Sequence, residues 1–306
     1  MSKLYFNLTP DDNSRLFFGE VFAIACAMHV NPNCYVYFKY ENAMTQKQVG
    51  NFFGNIFSSR ILLKTPSDKE FALVAKKHAH ALALSKMDSI SVFDFSKEFI
   101  KNFPFKYRKA IHKLLRKELA NTLLRHPGKN KAAFLCIRNS QLETEKNITE
   151  SFFRKACNAL AKHDIRTIVV IGDKLPDNIA LNNADYQRPL LNFTNYGQMI
   201  KDKAGVPEEM LLQAQVYFLK VLKDKYYVRV GVGCPSGGAH MLGSLGIPIV
   251  FANLSGTRFL DIQFSNNSKS TFFPFTGQPS HHTQDEDESF EAQLSSALQH
   301  PSVNRY

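Results

Sequence analysis

Residues 228–251 read VRVGVGCPSGGAHMLGSLGIPIVF, and no other stretch restricts the fold as much. A β-rich run ends in Gly231-Val232-Gly233, Pro235 and Ser236 interrupt it, and Gly237-Gly238 opens a short helical segment (239–245) before a second β run at 247–251. Strand, tight turn, helix and strand in this order predict parallel pairing through a helical crossover, hence an α/β layer. The first amides of a helix have no intrahelical partner, and glycines leave them unshielded by any Cβ. At the carboxyl edge of a parallel sheet such amides form a place for anionic phosphate. The spacing is not the dinucleotide Gly-x-Gly-x-x-Gly, because Ser236 stands where the third glycine belongs, and no Gly-x4-Gly-Lys-Ser/Thr loop occurs in the chain. The same glycines also suit a tight turn with no ligand, which is the competing reading.

The alternation extends in both directions. Upstream, strands are expected at 4–8, 35–38, 60–64 and 90–93, with helices at 15–28, 46–56 and 67–86. Pro127-Gly128, among polar residues, marks a boundary between an N-terminal acceptor-side domain (1–131) and a C-terminal domain (132–306). After it come a strand at 132–137, a helix at 149–162, a strand at 167–171 (TIVVI) ending at Gly172-Asp173, a helix at 210–222 and a strand at 226–232. The last forty residues are polar, with a HHTQDEDE run and then a terminal helix at 290–299. The predicted class is α/β, with two Rossmann-like domains whose parallel sheets face a cleft. A length of 306 residues allows two cores.

The net charge of +11 suggests nucleic acid at first sight, but its distribution argues against that. Between Lys101 and Lys131 stand ten Lys or Arg and one acid, Glu118, so this segment carries nine of the eleven charges. Ile111, Leu114, Leu115, Leu119 and Leu123 recur within it at helical spacing, which predicts a basic amphipathic helix. Its polar face serves either solvation or contact with an anionic lipid surface or phosphate-bearing acceptor. No specific nucleic-acid binding is expected. Five cysteines at wide spacing include no CxxC pair and read as reduced thiols. With no secretory h-region and no run of about 20 apolar residues, the chain is expected to be cytoplasmic, peripheral to a membrane if the basic helix binds one.

Ser236-Gly-Gly-Ala-His240, followed by Leu245-Gly-Ile-Pro-Ile-Val250, resembles the donor-binding segment of GT-B glycosyltransferases, which bind nucleotide-diphosphate sugars between two Rossmann-like domains. Phe134-Leu-Cys-Ile-Arg-Asn-Ser140 is similar to the strand-arginine motif of the fucosyltransferase-like branch, whose arginine holds the donor pyrophosphate. The branch's usual His-x-Arg-x-Gly-Asp stands here as Cys136-Ile-Arg138-Asn-Ser140, without the histidine and the acid. Asp173 falls where the branch has an acid after its second strand. The resemblance covers about residues 132–260 and implies a donor set of Arg138, Asp173, Ser236, Gly237, Gly238 and His240.

Arg138 stands on chemistry as well. A guanidinium at the carboxyl end of a central strand can grip a diphosphate with two hydrogen bonds and stabilise it as a leaving group, although an ion pair between domains would use the same residue. Asp12 and Glu20, with Asp11, are the N-terminal carboxylates nearest the expected cleft, where one would deprotonate an acceptor hydroxyl; each equally suits a turn or cap. Asp285-Glu-Asp287 has the form of a metal-binding Asp-x-Asp but follows no strand, so no metal and no cofactor are expected. The expected function is metal-independent, inverting transfer of a sugar, from GDP-fucose or a similar hexose donor, to an unknown glycan, lipid or protein acceptor. The alternatives are a sugar-nucleotide epimerase or hydrolase, or a non-catalytic module binding through residues 101–131.

Overall fold

The computed structural model of the chain describes residues 3–7, 35–39, 47, 48, 50–52, 61, 62, 103–125, 130–139, 147–175, 177, 179, 190–233, 237–251, 272–274 and 284–300. Strands β1 (Lys3–Asn7), β2 (Tyr35–Lys39) and β3 (Ile61–Leu62) form a parallel sheet in that order. Lys3 pairs with Tyr35 and Asn7 with Lys39, while Val36 and Tyr37 pair with Ile61 and Leu62. All three coincide with expected β runs, and their pairing is parallel, as the expected alternation of strands and helices implies. Of the expected helix at 46–56, residues 47, 48 and 50–52 are helical; the expected elements at 15–28, 67–86 and 90–93 lie outside the described residues.

The second sheet is parallel throughout, built from β4 (Lys131–Ile137), β5 (Ile165–Gly172), β6 (Leu190–Thr194), β7 (Val228–Gly233), β8 (Ile249–Phe251) and β9 (Phe272–Pro274) in the order β6-β5-β4-β7-β8-β9. Around it lie helices α1 (Phe105–Glu118), α2 (Glu150–Lys162), α3 (Tyr196–Ala204), α4 (Leu211–Lys225), α5 (Gly237–Ser244) and α6 (Gln284–Gln299). Side chains of β4 alternate between the two faces. Phe134 and Cys136 join a core with residues of α1, α3, α4 and α5, whereas Ala133, Leu135 and Ile137 join one with residues of α2 and α6. Helices on both faces explain why the central strand β4 is apolar at consecutive positions 132–137 and not at alternate ones.

Local chemistry accounts for the helix ends. Thr149 caps α2 by accepting from the Phe152 amide at 3.2 Å, with Glu150 in the first turn and Lys162 in the last, both signs favourable to the helix dipole. α6 begins at Gln284, six residues earlier than the sequence suggests. Its acidic run is therefore helical and not a polar tail, in keeping with the preference of acidic residues for the first turn of a helix. Phe290 then meets Phe152 edge-on at 5.6 Å, and Lys162 pairs with Glu291.

α1 is the basic helix foreseen in the sequence, and its apolar stripe is buried. Ile111, Leu114 and Leu115 pack into the core that holds Phe134, Val169 and Phe218, each contributing about 1.5–3 kcal/mol by leaving water. Residues on both sides of residue 131 thus share one core. The N-terminal half also reaches this region through Asn51, whose side-chain amide donates to the Glu209 carbonyl at 3.0 Å and whose own carbonyl accepts from the buried Gln213.

His112 pins α1 to α4. Its Nε2 lies 2.9 Å from the Tyr217 hydroxyl, with the rings edge to face. Burial, followed by the charges of Lys225 and Arg116, lowers the His112 pKa below its ordinary 6.5. The unfolded chain therefore takes up this proton first as pH falls, so stability is retained above 6.5 and lost as pH drops from there through the lowered folded-state value. Melting temperature followed from about pH 7 to about pH 5 should decline, and His112→Gln should flatten that decline. Parallel profiles for the two proteins would contradict this.

Candidate functional site

The strand order creates a candidate site. β4 and β7 are neighbours in the sheet although β5 and β6 lie between them in sequence. After β4 the chain enters α2 on one face, and after β7 it enters α5 on the other. Connections that leave adjacent strands toward opposite faces part at the carboxyl ends, and the crevice so formed is where open α/β sheets take ligands.

On the β4 side stands Arg138, half-buried and directly after Ile137. Its carbonyl accepts from the Ile148 amide at 3.1 Å, which closes the loop leading to α2. The next residue ties this turn to β5. The Asn139 amide donates to Asp173 Oδ2 at 3.0 Å, and its side-chain amide donates to the Lys174 carbonyl at 3.1 Å. Asp173 in turn donates its own amide to the Ile137 carbonyl at 3.1 Å. The Asp173 carboxylate thus holds the Arg138–Asn139 turn in place, a positioning role that differs from direct contact with a donor.

On the β7 side, Gly233 lies beside Cys136 in register. A Cβ on Gly233 would come within 2.6 Å of Cys136 Cβ and 3.0 Å of its carbonyl oxygen, so glycine is what lets β7 run this close to β4. Gly231 does the same for α5, since a Cβ there would meet Leu242 at 2.9 Å. Gly238 differs. It sits in the first turn of α5, and no described atom lies within 4 Å of where its Cβ would be. Among the described residues, packing does not require a glycine at that position.

Among the residues expected at the donor site, Arg138 follows the carboxyl end of β4, Asp173 follows that of β5, and Gly237 and Gly238 are in the first turn of α5. Ser236 lies outside the described residues, and so does the His240 side chain, whose backbone is in α5. Asp12 and Glu20 are also outside them. Asp285 and Asp287 are in the first turn of α6. In the core on the α4 face of the sheet, Tyr196 is buried, stacks on Phe218 at 5.4 Å, and has its pKa pushed up by burial and, to a smaller degree, by Cys136. It is a neutral group at any ordinary pH.

No family model matches the sequence, and no curated protein does. Three solved structures align with it along nearly their whole length. All three are glycosyltransferases. The Escherichia coli ADP-heptose lipopolysaccharide heptosyltransferase II aligns over 97% of this chain and 98% of its own, at 11% identity and a TM-score of 0.49. A family 9 glycosyltransferase from Veillonella parvula covers 96% and 89% at 10% identity and a TM-score of 0.48. The E. coli heptosyltransferase WaaC with ADP covers 97% and 99% at 11% identity and a TM-score of 0.39. None of the three is named as a fucosyltransferase. At such identities no residue role passes from them to this chain.

Asn139 and Gly172 were not singled out from sequence. Both stand at strand ends, Asn139 beside the arginine and Gly172 after TIVVI. A glycine closing a buried β run signals close approach of backbone, which is the property Gly172 and Gly233 share.

Proposed function

We propose that this chain is a glycosyltransferase using a nucleotide-diphosphate sugar, with the donor phosphates seated in the crevice between β4 and β7. The observation that carries the reading is the adjacency of β4, which Arg138 follows, and β7, which leads to the glycine-led start of α5. The guanidinium and the first-turn amides of α5 together offer a positive, hydrogen-bond-donating surface to a diphosphate. The likeness of residues 236–250 to the GT-B donor segment supports a sugar nucleotide, GDP-fucose or another hexose donor, over other phosphates.

In this reading the acceptor oxygen bonds to the anomeric carbon while the bond from that carbon to the phosphate oxygen breaks. The diphosphate leaves with the electron pair, and the acceptor proton passes to a carboxylate, for which Asp12 or Glu20 is proposed. Arg138 and the helix amides compensate the charge developing on the leaving group, the part a metal plays in other transferases. Direct displacement of this kind inverts the anomeric centre.

Arg138→Ala tests the assignment. Calorimetry should show affinity for GDP, UDP or ADP, whichever binds the parent best, falling by about 1.5–3 kcal/mol, roughly ten- to hundredfold, with the matching nucleoside unaffected. Equal losses for nucleotide and nucleoside would remove Arg138 from the phosphate site. Parent protein that cleaves the donor equally fast without any acceptor would favour an epimerase or hydrolase, and tight binding without turnover would favour a binding module.

A further inference from the structure

The charge that the crevice does not use lies on α1. Projected around the helix axis, Phe105, Lys106, Lys109, Lys113, Arg116 and Lys117 fall within a single arc of about 120°, and all six are exposed. None of the five cations has a carboxylate partner among the described residues. Other surface cations do pair, for example Arg154 with Glu150, Arg166 with Asp164, Lys201 with Glu208 and Lys203 with Glu118. The single acid of α1, Glu118, lies off this arc and is taken by Lys203 of α3 at 2.9 Å. The exposed face therefore carries uncompensated positive charge on a rigid support, because the opposite face is anchored in the core.

A second observation points to what this face meets. Phe105 is 70% exposed and is the only large apolar side chain so exposed among the described residues. It stands in the first turn of α1 at the edge of the basic arc, with the Arg108 guanidinium 5.8 Å from its ring centre. Charge alone would suit any polyanion, but an exposed aromatic beside a basic stripe on a straight helix fits a surface that is anionic outside and apolar just beneath. We propose that α1 lies on an anionic phospholipid membrane, with the lysines and Arg116 against headgroups and Phe105 inserted at their boundary with the acyl chains. This inference is independent of how the crevice is read. No helix among the described residues is long and apolar enough to cross a membrane, so the contact is peripheral where α1 makes it.

The test is vesicle sedimentation of the full chain on phosphatidylcholine vesicles with and without phosphatidylglycerol, at low and high salt. The parent should sediment with the anionic vesicles only, and less so as salt rises. A variant with Lys106, Lys109, Lys113, Arg116 and Lys117 all changed to Gln should lose at least a hundredfold in partitioning. Phe105→Ser should lose about tenfold while its salt dependence stays, an effect that a purely electrostatic contact would not produce. Melting temperatures equal to the parent's establish that both variants are folded, which exposure of all six positions favours; if the five-fold variant unfolds, Phe105→Ser and the single Lys113→Glu carry the test. Equal sedimentation of parent and variants overturns the proposal. So does binding of single-stranded RNA by the parent without binding to anionic vesicles.

Discussion

Gly238→Val is expected to abolish nucleotide-diphosphate binding, by a hundredfold or more, while leaving the melting temperature close to the parent's. In the first turn of α5 the Cβ of a valine would meet no described atom within 4 Å, so nothing among the described residues resists it. Helix propensity changes little and in the favourable direction, by a few tenths of a kcal/mol, roughly, since glycine is the poorer helix former. A diphosphate on the first-turn amides would have to share that space with two methyl groups, and exclusion by about 3 kcal/mol or more corresponds to the stated loss. The contrast is Gly233→Ala. There a Cβ would lie 2.6 Å from Cys136 Cβ, so the fold should weaken and binding should decline along with it. Affinity and melting temperature measured on both variants separate the two cases. A Gly238→Val protein that stays folded and binds GDP or UDP like the parent would remove the phosphate site from α5, and with it the main support for a transferase.

Gly172→Ala should be the most damaging small substitution for stability. Gly172 has a φ of +102°, a conformation that side chains rarely adopt, and its added Cβ would come within 2.3 Å of the Ile137 carbonyl oxygen. That oxygen accepts from the Asp173 amide, so relieving the clash means parting β4 from β5 or giving up the bond. Strain of about 1–3 kcal/mol and a lost hydrogen bond of about 1 kcal/mol together make roughly 3 kcal/mol a fair expectation. Gly205→Ala isolates the backbone part, because Gly205 also has positive φ, +62°, but no described atom near its Cβ position. Urea denaturation should show the Gly172 variant clearly less stable than the Gly205 variant. Equal losses would mean that the approach to Ile137 contributes nothing. Because Ile137 leads into Arg138, the Gly172 variant should also bind nucleotide more weakly.

Much of the fold was legible because burial on both faces leaves a simple trace. β4, β5, β7 and β8 each hold a run of consecutive apolar or glycine residues, 132–137, 168–172, 230–233 and 249–251, and each strand coincides with an expected one to within a few residues. β6, with the sequence LLNFT, and β9, with FFP, were not foreseen. Both are edge strands, each pairing on one side only, so neither needs a long apolar run. α3 was also missed, since its nine residues include Gly197 and carry a weak apolar stripe; the Gly205-Val-Pro207 stop after it was the available sign.

Sequence by itself determined the α/β class, the parallel pairing and the glycine-led start of α5, because each depends on spacing along the chain and on the conformations a residue type permits. It could not assign the leucine stripe of α1 to a partner, for any apolar face buries it equally well; only the folded chain brings that stripe against α3 and α4. Nor could it distinguish its glycines. Gly172, Gly233 and Gly238 are the same residue in similar settings, yet a Cβ would strike Ile137 at the first and Cys136 at the second, and would meet no described atom at the third. The first clash comes from a residue 35 positions away and the second from one 97 away, and both approaches are set by the strand order β6-β5-β4-β7-β8-β9. That order also makes β4, which Arg138 follows, and β7, which α5 follows, neighbours once the sheet has formed, although they lie about a hundred residues apart in the chain.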